Sequence, residues 1–226
     1  MPKEKSANRI FVGYPWKTYR AHWEKTLQDI HKRSPLHFMA IGREPGQPAQ
    51  QLVTHILQTI DRSSAAFFDA SAGNPNVALE YGYARATLDD GVIYLFMDEN
   101  ATASSGPGSP IISDLAGAVA NRYALNDTKL KDIVVAIAKQ HPYNKRFEKF
   151  CRQRKYKGGT RRFLVRLFRQ LDGKDSILRR ELIDNVVQES KKTEKYVARY
   201  IRELHEAGLI TITRGNKFSS RVTISG

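Results

Sequence analysis

The chain has 226 residues, of which 41% are hydrophobic and 27% charged, as is typical of a protein that folds around its own core. Its one cysteine, Cys151, excludes an internal disulfide, and no apolar stretch approaches the 18 residues that a transmembrane helix needs. The start, Met1-Pro2-Lys3-Glu4-Lys5, lacks the apolar segment of a signal peptide, so we expect a soluble, cytoplasmic protein that does not bind a membrane.

The net charge of +14 is unevenly distributed along the chain. Residues 1–140 hold 15 Lys and Arg against 14 Asp and Glu, whereas residues 141–226 hold 22 against 9. This asymmetry favours a polyanion-binding module joined to a near-neutral domain. A basic face kept only for solubility is the alternative, but such a face need not be confined to one segment.

Strand and helix signals alternate over residues 1–140. We predict strands at 9–13, 36–41, 65–69, 92–97 and 121–124, and helices at 18–33, 52–60, 76–88 and 128–140. This alternation predicts parallel βαβ units, and therefore an α/β domain with a doubly wound, parallel five-stranded sheet. Ligands bind beyond the carboxyl ends of such strands, which directs attention to residues 13–16, 42–47 and 69–76.

The rest of the chain has a different pattern. Residues 141–160 form a basic linker or a short helix that ends at Gly158-Gly159. Helices are predicted at 161–171, 179–188 and 193–206, followed by two strands at 209–213 and 221–225 around a hairpin tip. Three helices and a two-stranded wing are the order of a winged helix-turn-helix domain, which we expect over residues 161–226.

The third of these helices has an apolar side and a basic side, as a recognition helix requires. Val197, Ile201 and Leu204 share the apolar face. The candidate nucleic-acid-binding residues are Lys191, Lys192, Lys195, Arg199 and Arg202 on or just before this helix, with Arg214 and Lys217 at the wing tip. A winged helix used for protein contacts is the alternative, and the charge excess disfavours it.

Residues 69–84 hold the candidate active site. Asp69 stands at the exit of a buried strand, and Gly73 and Pro75 permit a tight turn into a helix whose first N–H groups would suit a phosphate. Glu80 would lie on the inward half of this helix beside Val77, Leu79 and Tyr83, while Gly82 would let the helix approach the sheet or a ligand. A buried carboxylate is costly unless it is partnered or used, so a structural ion pair and a catalytic role are both open.

The stretch Asn76-Val77-Ala78-Leu79-Glu80-Tyr81-Gly82-Tyr83-Ala84 resembles the glutamate-glycine motif of the nucleoside 2-deoxyribosyltransferase superfamily, which shades into the TIR-like nucleotide hydrolases. Ile10-Phe11-Val12-Gly13 resembles the first strand of that family, although Phe11 stands where the family commonly has a tyrosine. The resemblance implies that Glu80 is the nucleophile that attacks the anomeric carbon and releases the base. It also implies that Asp69 orients the sugar or assists the leaving base. The candidate substrate-binding residues are Gly13, Tyr14, Asn74, Asn76 and Arg43.

A domain of this kind joined to a basic winged helix resembles the effector proteins of type II retron anti-phage systems. That resemblance implies an antiviral N-glycosidase toxin, restrained by a reverse transcriptase and its RNA–DNA hybrid product. NAD or a (deoxy)nucleotide would be the substrate, no cofactor or metal would be needed, and a homo-oligomer is expected. The alternative is a transcription regulator whose first domain senses a nucleotide without turning it over.

Overall fold

The computed structural model describes residues 5–42, 48–101, 121–125, 128–213, 215 and 219–226. Contacts divide the chain into two compact units. Unit 1 comprises Met1–Lys5, Arg9–Asp29 and Phe38–Ile137, and unit 2 comprises Ser6–Asn8, Ile30–His37 and Ala138–Gly226. None of the helices in the described ranges is both long and apolar enough to cross a lipid bilayer.

The larger sheet confirms the predicted α/β class and the five parallel strands. Its strands are β1 (Ser6–Gly13), β2 (His37–Met39), β3 (Ser63–Asp69), β4 (Ile93–Asp98) and β5 (Asn121–Tyr123), in the spatial order β2-β1-β3-β4-β5. The helices between and after them are α1 (Trp16–His31), α2 (Ala49–Asp61), α3 (Pro75–Thr87) and α4 (Lys129–Gln140). The central strand β3 is almost continuously buried, which explains why its sequence lacks the alternation of a strand with one wet face.

The order of the strands changes direction between β1 and β3. From β1 the chain first adds β2 on one side, then crosses back to add β3, β4 and β5 on the other. Connections that leave neighbouring strands in opposite directions open a ligand-binding crevice at that point. Phe68 of β3 packs its ring against Phe11 of β1 and edge-on against Tyr81 of α3, with centroids 5.7 and 5.6 Å apart.

The described residues of unit 2 include four helices and a small antiparallel sheet. Its elements are α5 (Pro142–Gln153), α6 (Gly158–Arg169), β6 (Ile177–Leu178), α7 (Arg179–Ser190), α8 (Glu194–Glu206), β7 (Ile210–Thr213) and β8 (Arg221–Ile224). The sheet order is β6-β8-β7, so that Ile177 and Ile212 both lie opposite Val222, which is fully buried. The apolar face of α8 packs inward as its spacing predicts.

Of the two interpretations of residues 141–160, the structure shows a helix. His141 caps α5 by accepting a hydrogen bond at Nδ1 from the Tyr143 N–H at 3.3 Å, and Pro142 occupies the first helical position, where it is favoured. Tyr143 and Phe147 point their rings at Phe168 of α6, with centroids 6.0 and 5.7 Å apart. The inward face of α5 is therefore part of the core of unit 2.

Candidate functional site

Glu80 reaches from α3 to the end of β1. A methyl group added at Gly13 would overlap the Oε2 atom of Glu80, so the carboxyl group occupies space that only a glycine leaves open. Phe68 and Phe11 have ring carbons 3.0 and 3.3 Å from the same point. The structure therefore brings together two predicted site residues, Gly13 and Glu80, beside the rings of Phe68 and Phe11.

The carboxyl group of Glu80 has no hydrogen-bond or ion-pair partner among the described residues. Burial raises the pKa of Glu80 from 4.5 to about 7, because the charged form loses water and gains no donor in exchange. Buried carboxyl groups without partners cost stability, and they are concentrated at ligand-binding and catalytic sites. Of the two roles left open by the sequence, this environment disfavours the structural ion pair.

The rotation of α3 differs from the sequence-based expectation. The helix buries residues spaced by four and three, which are Val77, Tyr81 and Ala84. Glu80 lies at the border of this stripe and is partly buried. Leu79, which we expected beside Glu80 as an apolar neighbour, is 62% exposed. Outside the backbone of its own helix, no described atom lies within 4 Å of a Cβ placed at Gly82, so the prediction that Gly82 lets the helix approach the sheet is wrong. Its role in the approach of a ligand stays a prediction.

The first N–H groups of α3 are hydrogen-bonded to Asn74, the residue that caps the helix. The Oδ1 atom of Asn74 accepts hydrogen bonds from the N–H groups of Asn76 at 2.9 Å and Val77 at 3.3 Å. Ala78 donates to the Asn74 carbonyl oxygen at 3.1 Å, and Pro75 has no N–H group. These are the groups that we expected to face a phosphate, and the capping side chain engages them instead. The substrate-binding roles of Asn74 and of the exposed Asn76 stay predictions.

Asp69 is fully buried at the end of β3 and accepts hydrogen bonds from three donors. Its Oδ2 atom accepts from Trp23 Nε1 at 2.6 Å and from the Tyr123 hydroxyl at 2.5 Å, and its Oδ1 atom accepts from the Ser71 N–H at 3.0 Å. Burial raises the pKa of Asp69, and the bonds from Ser71, Tyr123 and Trp23 oppose that rise. Asp69 thus ties α1 and β5 to β3, and its predicted contact with a sugar stays a prediction.

A second buried carboxyl group extends this network. Asp98, at the end of β4, accepts a hydrogen bond from the Tyr19 hydroxyl at 3.2 Å. The Asp98 N–H donates to the Ser71 hydroxyl at 2.7 Å. Sequence analysis missed Trp23, Tyr19 and Tyr123. The usable signal was chemical, because a buried tyrosine or tryptophan needs a partner for its polar atom.

Tyr14 follows Gly13 into an aromatic stack. Its ring lies parallel to those of Trp16 and Trp23, with centroids 5.5 and 5.9 Å apart. The Tyr14 hydroxyl is buried without a hydrogen-bond partner in the described part of the chain, and burial raises its pKa to about 12. Trp16 in turn lies against Gly42, where ring carbons come within 2.6 Å of a Cβ position. The predicted site residue Arg43 lies outside the described residues.

The predicted nucleic-acid-binding cations of α8 and the turn before it are all exposed, but they differ in availability. Arg199 donates from Nε to the Glu203 carboxylate at 2.8 Å. Lys192 holds its Nζ atom 5.5 Å from the ring centre of Tyr196, and Lys191 ends α7 in the left-handed conformation, with φ of 55°. Lys195 and Arg202 have no ion pair with any described residue. Arg214 and Lys217 lie outside the described residues.

Comparisons with known proteins do not assign the chain to a family. No protein-family model matches the sequence, and no curated protein matches it. Among the described residues, no group of three or more His, Cys, Asp or Glu side chains could hold a metal ion.

Proposed function

We propose that unit 1 is a nucleotide N-glycosidase that releases the base from NAD or a (deoxy)nucleotide, with Glu80 as the nucleophile. The observation that carries the proposal is the Glu80 carboxyl group, which lies against Gly13 at the carboxyl end of β1 and has no partner among the described residues. The strand order, which reverses between β1 and β3, supports a doubly wound sheet with its ligand crevice at this corner.

The chemistry of base release suits a carboxylate. As the glycosidic bond breaks, the base leaves with the bonding electrons and positive charge develops on the sugar. The Glu80 carboxylate stabilises that charge and attacks the anomeric carbon to form a glycosyl ester, which water then hydrolyses. Attack requires the ionised form, so a pKa of about 7 predicts that base release increases as the pH rises through neutrality.

In this proposal Asp69 is a positioning residue. Both of its oxygen atoms are already engaged by donors from the protein, and the side chain is fully buried. Asp69 holds Trp23 of α1, and Trp23 stacks on Tyr14, the residue next to Gly13. Through this chain of contacts, Asp69 keeps the end of β1 in place beneath Glu80.

For unit 2 we propose a winged helix-turn-helix domain that binds nucleic acid. The order α6, β6, α7, α8, β7, β8 with the hairpin paired to β6 supports that fold. The 22 Lys and Arg against 9 Asp and Glu in residues 141–226 support a polyanion as the partner. Residues 76–84 resemble the deoxyribosyltransferase motif, and the proposed winged helix follows them in the same chain. We therefore propose an effector of the retron type that acts in the cytoplasm as a homo-oligomer. A reverse transcriptase and its RNA–DNA product would control its activity.

The test is base release by the purified chain. NAD and the deoxynucleotides are incubated with the protein, with and without nucleic acid, and free bases are separated by chromatography. Glu80→Gln keeps the size of the side chain and removes its charge, and we expect release to fall at least about a thousand-fold, or roughly 4 kcal/mol. Asp90→Asn is the matched control, because Asp90 is exposed before β4, at the opposite end of the sheet.

Equal release by Glu80→Gln and the unchanged protein would contradict the role of Glu80. Release from none of these substrates, together with intact nucleic-acid binding, would favour the nucleotide-sensing transcription regulator instead.

A further inference from the structure

Nearly half of the net positive charge of residues 141–226 lies on α5 and the turn after it. Residues 145–157 hold seven Lys and Arg against one acidic residue, Glu148. Residues 191–206, which contain α8, hold five Lys and Arg against three Glu. The net charge is therefore +6 on the first segment and +2 on the second. The helix that sequence analysis assigned to recognition is the less basic of the two.

Three cations of α5 and two of the turn after it are available to a partner. Lys145, Lys149 and Arg152 are exposed, and their side chains have no ion pair or hydrogen bond with any described residue. The spacing of four and three places them on one side of the helix. The only acid of the segment, Glu148, is paired with Arg161 of α6. Arg146 donates to the Gly226 carbonyl oxygen at 3.0 Å, and Arg154 lies 3.9 Å from the Glu206 carboxylate. The available cations of the α8 segment are fewer, because Arg199 is held by Glu203 and Lys192 lies over the Tyr196 ring.

From these observations we infer that the principal nucleic-acid-binding surface of unit 2 is the α5 stripe, formed by Lys145, Lys149 and Arg152. The inference rests on the proposed nucleic-acid binding by unit 2 and moves its main site away from α8. Lys155 and Lys157, exposed and unpaired among the described residues in the turn after α5, extend the stripe.

The apolar side of α5 indicates whether the cationic side binds nucleic acid or an anionic membrane. An amphipathic helix binds a bilayer by burying its apolar face in the lipid. In α5 that face, with Tyr143, Phe147 and Phe150, is buried in the protein core. Only the cationic face is available, and a row of cations without accompanying apolar side chains fits a phosphate backbone.

The dimensions of the stripe agree with this partner. From Lys145 to Arg152 the helix rises about 10 Å at about 1.5 Å per residue. One strand of a duplex carries a charge about every 3.4 Å along its axis, so the stripe spans roughly three phosphates. Contacts to phosphates position a protein on a duplex without reading its sequence. We therefore assign to α5 affinity and salt dependence rather than sequence preference.

The test compares two variants that lose the same charge. One carries Lys145→Gln, Lys149→Gln and Arg152→Gln, and the other carries Lys191→Gln, Lys192→Gln and Lys195→Gln. Binding to a fluorescent random-sequence duplex is measured by anisotropy between 50 and 200 mM salt. We expect the α5 variant to bind at least about 30-fold more weakly at the lowest salt and to lose about 2–3 from the slope of log K against log salt, since each phosphate contact contributes about 0.9. The α8 variant is expected to lose less than about fivefold.

Thermal unfolding of both triple variants checks that they fold. If the α5 variant unfolds at a lower temperature than the unchanged protein, the single change Lys149→Glu on the exposed face replaces it in the binding test. We expect Lys149→Glu to weaken duplex binding about tenfold. A larger loss in the α8 variant would overturn the inference and leave nucleic-acid binding intact. If the unchanged protein does not bind the duplex at all, the nucleic-acid half of the proposed function fails, and the inference fails with it.

Discussion

Two carboxyl groups at the same end of the sheet have opposite environments. Asp69 is fully buried and accepts hydrogen bonds from Trp23, Tyr123 and Ser71. Glu80 is partly buried against Gly13 and has no partner among the described residues. Burial raises the pKa of both groups, so burial alone does not separate them. The presence or absence of donors does, because a satisfied carboxylate stabilises the fold and an unsatisfied one is available to a ligand.

The largest stability effect is expected at the satisfied group. Asp69→Asn replaces one acceptor oxygen with an NH₂ group and leaves a buried donor of Trp23, Tyr123 or Ser71 without its acceptor. We expect the free energy of unfolding to fall by about 2–4 kcal/mol. Urea unfolding followed by tryptophan fluorescence measures this loss. The control Asp90→Asn, at an exposed site, is expected to change it by less than about 0.5 kcal/mol. A similarly small loss in Asp69→Asn would show that the three bonds are not made.

At the unsatisfied group the position of the carboxyl matters more than stability. Gly13→Ala puts a methyl group where the Glu80 carboxyl lies, and the flexible end of a side chain moves aside more cheaply than backbone does. We expect base release to fall about 10–100-fold, since small displacements of a reacting group are costly, while stability changes by less than about 1 kcal/mol. Gly82→Ala is the control: on the open side of α3, it should keep activity and gain about 0.5–1 kcal/mol of stability. Full activity in Gly13→Ala would contradict the placement of Glu80.

A further effect concerns the pH dependence of stability. The folded chain binds a proton at Glu80 more tightly than the unfolded chain, because the pKa rises from 4.5 to about 7 on folding. Stability is therefore lost as the pH rises from 4.5 through 7, and Glu80→Gln does not lose it. At pH 8 we expect Glu80→Gln to be more stable than the unchanged protein by about 3 kcal/mol, with no difference below pH 4. Urea unfolding at both pH values measures this, and equal stability at pH 8 would mean that the carboxyl group is solvated.

Local patterns were sufficient for most of unit 1. Apolar runs and helical spacing predicted the five strands and four helices, because each signal lies within a few consecutive residues. The surroundings of Glu80 and Asp69 were beyond such patterns. The residues that contact these carboxyl groups, Gly13, Trp23 and Tyr123, come from distant segments of the chain and meet them only in the folded structure. The rotation of α3 was misjudged for the same reason, since Leu79 and Tyr81 are both apolar and only packing decides which of them is buried.

In unit 2 the high positive charge of residues 141–160 made the helix α5 difficult to predict. Tyr143, Phe147, Phe150 and Cys151 follow a spacing of four, three and one, which is typical of an amphipathic helix. The many lysines and arginines between them also suit a linker, so the sequence left both interpretations open. The ion pair between Arg199 and Glu203 could have been predicted from the sequence, because a spacing of four residues favours ion pairs on a helix.

The most direct test of the central claim is a titration of the Glu80 carboxyl group itself. Protein labelled with ¹³C at the glutamate carboxyl carbons is followed by NMR from pH 4 to 9, and the Glu80 signal is identified by its loss in Glu80→Gln. We predict a midpoint near pH 7, well above those of the solvent-exposed glutamates. A midpoint near the ordinary value of 4.5 would show a hydrated carboxyl group and would contradict the proposed active site.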